Sequence, residues 1–145
     1  MDLISLSFAC TVPTIDQLNY TRKQPKKDDL TGIWVLDATS LERMRTNGGY
    51  DTSIQPGLDL KSDGTFELTR MPDWWDNGFG KSRQGFQDYS GSWDTSTYAK
   101  GFWQIDFKST RGTRSAQLIG QSAPYRIEFV IGDPDSNESM IFQKQ

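Results

Sequence analysis

The sequence predicts an all-β protein, an eight-stranded antiparallel up-and-down barrel with one short helix after the first strand. From residue 30 onward, short extended runs are separated by Gly, Asp, Asn and Pro, with almost no helical periodicity. Apolar and polar residues alternate in 103–108 and 126–129, as in strands with one dry face and one wet face. The chain of 145 residues suits one domain. Its aliphatic residues are few, so its 5 Trp, 5 Tyr and 8 Phe must supply much of the core.

Eight segments have the strand pattern. They are 32–37, 57–61, 65–70, 90–95, 102–109, 115–120, 125–131 and 139–144. The dipeptide Asp63-Gly64 predicts a tight hairpin that sets Leu58 and Leu60 against Phe66 and Leu68. Sequential hairpins of this kind favour a closed barrel, because closure removes exposed edge strands, and a two-sheet sandwich is the alternative.

One short helix is predicted after the first strand. Thr39 and Glu42 have the capping-box spacing, and 47–49 reads Asn-Gly-Gly, which ends helices. Leu41 and Met44 lie three residues apart and can share one face. A helix this short needs packing partners, so we expect it to lie across an end of the barrel.

Composition excludes much catalytic chemistry. The chain has no His and a single Cys, which removes Ser-His-Asp and Cys-His systems, His-ligated metals and disulfides within the chain. We therefore expect no enzyme, no cofactor and no metal site. Asp73, Asp76 and Asp88 form the only carboxylate group that would merit a catalytic test. The net charge of −3 offers no broad basic field, so nucleic acid is not an expected partner.

The N-terminal part differs from the rest. Residues 1–10 form a short apolar run that ends in Ala9-Cys10, and residues 11–29 are polar, with Pro13, Pro25 and four cations. The run resembles the end of a bacterial lipoprotein signal, in which the Cys thiol carries the lipid; Ser7 and Phe8 depart from that pattern. The alternative is an apolar strand with a buried thiol. Residues 11–29 are interpreted as a flexible tether, either a solvated linker or one that touches anionic headgroups, and 30–145 as the barrel domain.

Three sequence features together resemble small bacterial lipocalin-like domains. They are Leu30-Thr31-Gly32-Ile33-Trp34, the run from Leu58 to Phe66 with Ser90-Gly91-Ser92-Trp93, and Gly132-Asp133-Pro134-Asp135-Ser136 with Phe142 and Lys144. Many proteins of this group are lipoproteins of unknown function. The resemblance covers about 115 residues, from Leu30 to the C-terminus. It implies a calycin-type barrel whose first Trp packs across a closed end, and an apolar cavity, but no reaction.

A long connection, 71–89, carries five aromatic rings and separates two predicted strands. Loops of this length are commonly functional, and exposed rings would form a large apolar patch. Trp74, Trp75 and Phe79 are therefore candidate ligand-binding residues that cover the barrel mouth. Trp93, Trp103 and Phe107 are expected to line the interior beneath them. Alternatively, the rings plug the barrel and serve stability alone.

Two functions follow from this prediction. The first is a non-enzymatic barrel that binds a small apolar or amphipathic ligand, placed in the bacterial cell envelope and attached to the membrane through Cys10. The second is a solid-core structural or protein-interaction module that presents loop 71–89 to a partner protein, because many large rings can fill a small barrel. A cytoplasmic location is the alternative to the envelope.

Overall fold

The computed structural model describes residues 19–73, 85–130 and 139–145. Eight strands follow one another around a closed barrel, and every neighbouring pair is antiparallel. The strands are β1 Gly32–Leu36, β2 Gly57–Leu60, β3 Thr65–Pro72, β4 Phe86–Tyr98, β5 Phe102–Ser109, β6 Gly112–Ile119, β7 Arg126–Val130 and β8 Ser139–Lys144. Helix α1, Lys27–Leu30, precedes β1, and helix α2, Ala38–Thr46, follows it.

Pairing between the first and last strands closes the barrel. Trp34 of β1 stands opposite Lys144 of β8, and Leu36 stands opposite Phe142. The predicted up-and-down barrel is therefore confirmed, and the two-sheet sandwich is excluded. No helix among the described residues has the length and apolar content needed to cross a membrane.

The β2–β3 hairpin has the predicted register. Leu58 pairs with Leu68, and Leu60 pairs with Phe66. Gly64 adopts φ 88°, a left-handed conformation that costs a glycine little. The Asp63 carboxylate accepts hydrogen bonds from the backbone N–H and the hydroxyl of Thr65, at 2.9 and 2.6 Å. These bonds lower the pKa of Asp63.

Two strands extend well beyond their predicted bounds. Strand β4 begins at Phe86 rather than at residue 90 and continues to Tyr98, and β3 continues to Pro72 across a register shift between Leu68 and Met71. Arg70 has φ 55° at this irregularity, and its N–H donates to the Asp88 carboxylate at 2.8 Å. Bulges of this kind interrupt the period-2 pattern, which is why alternation alone underestimated both strands.

Helix α2 begins two residues earlier than the capping box predicts. The N-cap is Asp37, whose carboxylate accepts a hydrogen bond from the Ser40 N–H at 2.7 Å, so the expected cap at Thr39 is wrong. Asn47 ends the helix as predicted. Met44 is fully buried, and the Ser40 hydroxyl accepts a hydrogen bond from the Ile141 N–H of β8 at 2.8 Å.

The core is the barrel interior. Of the three residues expected to line the interior, Trp93 and Phe107 are buried among ten inward-facing residues, and Trp103 is partly buried against the same cluster. The ten are Trp34, Leu58, Leu60, Phe66, Leu68, Trp93, Ile105, Phe107, Ile127 and Phe129.

The described part of the predicted tether is packed against the barrel. We call residues 19–31 the strap. The backbone N–H of Thr21 donates to Leu118 O at 3.0 Å, the N–H of Trp103 donates to Thr21 O at 2.9 Å, and Thr21 is fully buried. β5 and β6 stop pairing at Gln104 and Gln117, so Thr21 fills the gap where the two strands separate. Residues 19–29, part of the predicted tether, thus contact the barrel, while residues 1–18, with Cys10, lie outside the described part.

The strap defines one end of the barrel. This strap end also holds the turns 61–64 and 99–101 and the loop 120–125. Leu30 is fully buried there, and its carbonyl accepts a hydrogen bond from the Trp34 indole N–H at 2.9 Å. The opposite end, here called the loop end, holds the connections β1–β2, β3–β4, β5–β6 and β7–β8.

Candidate functional site

A narrow cleft opens at the loop end, between strands β3, β4, β5 and β6. The cleft is lined by Phe66, Tyr89 and Phe107, and Arg111 and Arg114 stand at its rim. Its cavity volume is about 10 Å³. This is roughly the space that a single water needs, so a larger molecule enters only when a wall side chain moves.

A row of rings forms the floor of the cleft. The centroids of Phe66 and Phe107 are 4.9 Å apart in an edge-to-face arrangement. The row continues from Phe107 to Phe129 at 5.5 Å and from Phe129 to Phe142 at 5.2 Å. These distances are typical of favourable aromatic pairs. The row therefore spans the interior from β3 to β8 and closes the cleft below.

Two arginines give the rim a positive charge. Arg114 stands directly opposite Phe107 in the β5–β6 register, and residues in that relation share one face of a sheet, so Arg114 belongs to the inward-facing row of β6. The Arg111 guanidinium lies 5.5 Å from the centroid of the Tyr89 ring, within cation–π range. Both arginines are exposed. The structure thus places both arginines beside an aromatic cleft.

A second group at the loop end holds the two sides of the β3–β4 connection together. The Tyr50 hydroxyl donates to the Asp73 carboxylate at 2.5 Å, and the Gly85 N–H donates to the same carboxylate at 3.3 Å. The Asp73 N–H in turn donates to Gly85 O at 3.0 Å. The Tyr50 ring packs 5.6 Å from Phe86. The base of the predicted aromatic loop is therefore tied to a buried tyrosine.

The predicted ligand-binding residues divide into three groups. Trp74, Trp75 and Phe79 lie outside the described residues. Phe107 lines the cleft. Trp93 and Trp103 lie toward the strap end: the Trp93 indole N–H donates to Lys61 O at 2.9 Å, and the Trp103 N–H donates to the strap.

The structure describes two of the three carboxylates that would merit a catalytic test, and these two bind different groups. Asp88 is exposed and accepts from a backbone N–H of β3, while Asp73 accepts from Tyr50. Asp76 lies outside the described part of the chain. Across residues 19–73, 85–130 and 139–145, no three His, Cys, Asp or Glu side chains are grouped to hold a metal ion.

Two site residues escaped the sequence analysis. Tyr50 is 2% exposed, yet it follows two glycines in an irregular segment where no periodicity marks a core position. Arg114 carried a usable signal, because it lies two residues before Ala116 and four before Leu118, and all three share the inward face once the strand is extended to Gly112.

Searches of protein-family models, of curated proteins and of solved structures find no match to this chain. Its function is therefore argued from the geometry of the cleft and from the chemistry of the side chains around it.

Proposed function

We propose that this barrel is a non-enzymatic, lipocalin-like binding module that holds a small amphipathic ligand at its loop end. The observation that carries the proposal is the cleft with an aromatic floor and a cationic rim. Binding sites for small molecules combine apolar walls with a few placed polar groups in this way. Phe66 and Phe107 supply the apolar contact, and Arg111 and Arg114 supply the polar one.

The rim selects the ligand's polar group. Guanidinium groups donate up to five hydrogen bonds and accept none, so they favour a carboxylate or another anionic acceptor. Because the ring row closes the interior, the apolar part of the ligand stays near the mouth and does not extend along the barrel axis. Entry requires the Arg111 side chain to move off the Tyr89 ring, since the cavity has a volume of only about 10 Å³.

The connection between β3 and β4, residues 73–85, and the N-terminal segment complete the proposal. Trp74, Trp75 and Phe79 are proposed to cover the bound ligand, because the clamp of Tyr50, Asp73 and Gly85 fixes the base of that loop at the same end of the barrel. Cys10 is proposed as a lipid anchor in a bacterial envelope. Metabolic labelling with a radioactive fatty acid tests this anchor: label in the natural protein and none in a Cys10→Ser variant support it, and an unmodified Cys10 overturns it.

The ring row favours a second candidate. Four phenylalanines in mutual contact across the interior are also what a solid-core structural or protein-interaction module requires. In that case the aromatic loop binds a partner protein, and the cleft is a small gap between packed side chains that binds no ligand.

Calorimetric titration with octanoate and octanol separates the two candidates. The two compounds have the same tail and differ in the anionic group. The Arg114→Gln variant is expected to weaken octanoate binding about 10-fold or more and to leave octanol binding unchanged, because it removes a charge-assisted hydrogen bond. Lys108→Gln is the matched control, since Lys108 is an exposed cation next to Phe107 in the chain but on the outer face. Absence of binding by both compounds favours the interaction module.

A further inference from the structure

Charge is distributed unevenly between the two ends of the barrel. The strap, the turns 61–64 and 99–101 and the loop 120–125 together hold six Lys or Arg and three Asp. They are Arg22, Lys23, Lys26, Lys27, Lys61, Lys100, Asp28, Asp29 and Asp63. These segments have a net charge of +3 in a chain of net charge −3, so all other residues together have −6. The segments of the strap end are thus basic, and Asp94 and Glu67 on the adjoining strands offset two of their cations, Lys27 and Lys61.

The fold holds four of these cations in place. They lie between two anchors of the strap. The first anchor is Tyr20-Thr21, where the Tyr20 hydroxyl donates to Glu128 at 2.5 Å and the Thr21 hydroxyl donates to Gly120 O at 2.6 Å. The second anchor is Leu30, which is fully buried. Residues 22–27 therefore form a bridge on the surface of the barrel end.

Three cations on this end are available to a partner. Lys23, Lys26 and Lys100 are exposed, and no ion pair links any of them to another described residue. Three others are partly engaged: Arg22 lies 5.1 Å from the centroid of the Phe102 ring, Lys27 pairs with Asp94 at 3.2 Å while it keeps 59% of its side chain exposed, and Lys61 pairs with Glu67 at 2.9 Å. The strap end thus offers several positive charges that the protein itself does not neutralise.

We propose that the strap end docks on a membrane surface rich in anionic phospholipid headgroups. Four cations within six residues match the lower range of basic clusters that bind such surfaces. A flat bilayer meets only this end and leaves the acidic remainder in solution. A nucleic acid is a poorer fit, because single strands bind through stacking on exposed rings, and the rings here, Trp93 and Phe102, lie beneath Lys27 and Arg22. The inference does not depend on ligand binding or on a lipid at Cys10.

Vesicle sedimentation tests the proposal with the full chain carrying Cys10→Ser, so that no covalent lipid contributes. Vesicles of phosphatidylcholine alone are compared with vesicles that also contain phosphatidylglycerol. We expect partitioning only to the anionic vesicles, and a Lys23→Gln/Lys26→Gln variant is expected to partition about 25-fold more weakly, since each removed cation lowers the partition coefficient about 5-fold. The control variant Arg45→Gln/Arg70→Gln removes the same charge at the loop end and should partition like the parent protein.

Three results would overturn the proposal. One is equal sedimentation with neutral and anionic vesicles, and another is an equal loss in the loop-end control, which would report net charge alone. The third is binding to single-stranded DNA as tight as binding to anionic vesicles at the same salt concentration, which would assign the surface to nucleic acid. Circular dichroism and melting temperature confirm that each variant is folded, because all four substitutions change exposed side chains.

Discussion

The hydroxyl of Tyr20 is expected to stabilise the barrel through Glu128. Glu128 is only 7% exposed, and its carboxylate accepts the Tyr20 hydroxyl at 2.5 Å. The Tyr20→Phe variant keeps the edge-to-face contact with Phe102, whose ring centroid lies 5.8 Å away, and removes only the hydrogen bond. Hydrogen bonds to charged groups contribute about 1.5–3 kcal/mol. We expect that loss in the free energy of unfolding, or roughly 3–12 °C in melting temperature for a chain of this size.

The Tyr98→Phe variant is the matched control. Tyr98 also packs against Phe102, at 5.8 Å, but its hydroxyl is buried and no described residue forms a hydrogen bond with it. Removing an unsatisfied buried group is neutral or stabilising. Both variants thus remove the hydroxyl of a tyrosine that packs against Phe102. Tyr20→Phe is expected to lower the free energy of unfolding, whereas Tyr98→Phe is expected to leave it unchanged or to raise it.

Urea unfolding followed by tryptophan fluorescence measures both effects, and native-state hydrogen exchange adds a local measurement. The amides of Trp103 and Gly120 donate to strap carbonyls, at 2.9 and 2.7 Å, so their protection reports the strap directly. We expect faster exchange at both amides in Tyr20→Phe. A loss below about 0.5 kcal/mol in Tyr20→Phe, or an equal loss in Tyr98→Phe, would refute the reasoning.

Three further predictions concern the barrel wall, the helix and pH. Gly91→Ala should cost about 3 kcal/mol or more, because a Cβ there would lie 1.9 Å from the carbonyl oxygen of Lys108. Asp37→Ala should cost about 1 kcal/mol through the lost N-cap, while Thr39→Ala should cost little. Burial and the charge of Glu128 raise the pKa of Tyr98 to about 12, so the folded protein keeps that proton while the unfolded chain loses it near pH 10. Stability should therefore decline as pH rises from 10 to 12.

Each of these predictions has a control and a contrary result. Gly57→Ala should be well tolerated, because its Cβ would lie 3.5 Å from the Thr69 hydroxyl, and equal melting temperatures for the two glycine variants would contradict the steric argument. Equal losses of helical circular dichroism in the two cap variants would contradict the assignment of the N-cap. The pH-dependent decline should be smaller in Tyr98→Phe, and an unchanged decline would attribute it to other groups.

The positions of strands could be predicted from the sequence wherever one face of the strand is buried and the other is exposed to solvent. Phe102–Ser109 has its predicted bounds, and the β2–β3 register follows from Asp63-Gly64. The first residue of helix α2 could not be predicted from the sequence, because Asp37 and Thr39 are both residue types that cap helices well. The choice depends on β8: the Asp37 N–H donates to Ile141 O at 2.9 Å, so the chain leaves the sheet at that residue.

The position of the strap and the residues of the cleft rim depend on contacts between residues that are distant in the sequence. They could therefore not be predicted from local patterns. Tyr20 and Thr21 bind residues about one hundred positions away, and no local pattern marks them as packed against the barrel. Arg114 lies two residues after Gly112, so the sequence alone favours a place in a turn. The β5–β6 pairing instead sets it opposite Phe107.

Composition and the alternation of apolar and polar residues were sufficient to predict the class of fold. Each strand buries apolar residues of its own, so this requirement is local and visible in the sequence. Those same features excluded histidine and disulfide chemistry. Which polar segment docks on the barrel, and which cations meet at one end or line a cleft, depends on register and closure. Those are set by pairing free energies summed over the whole chain, so they could be read only from the folded molecule.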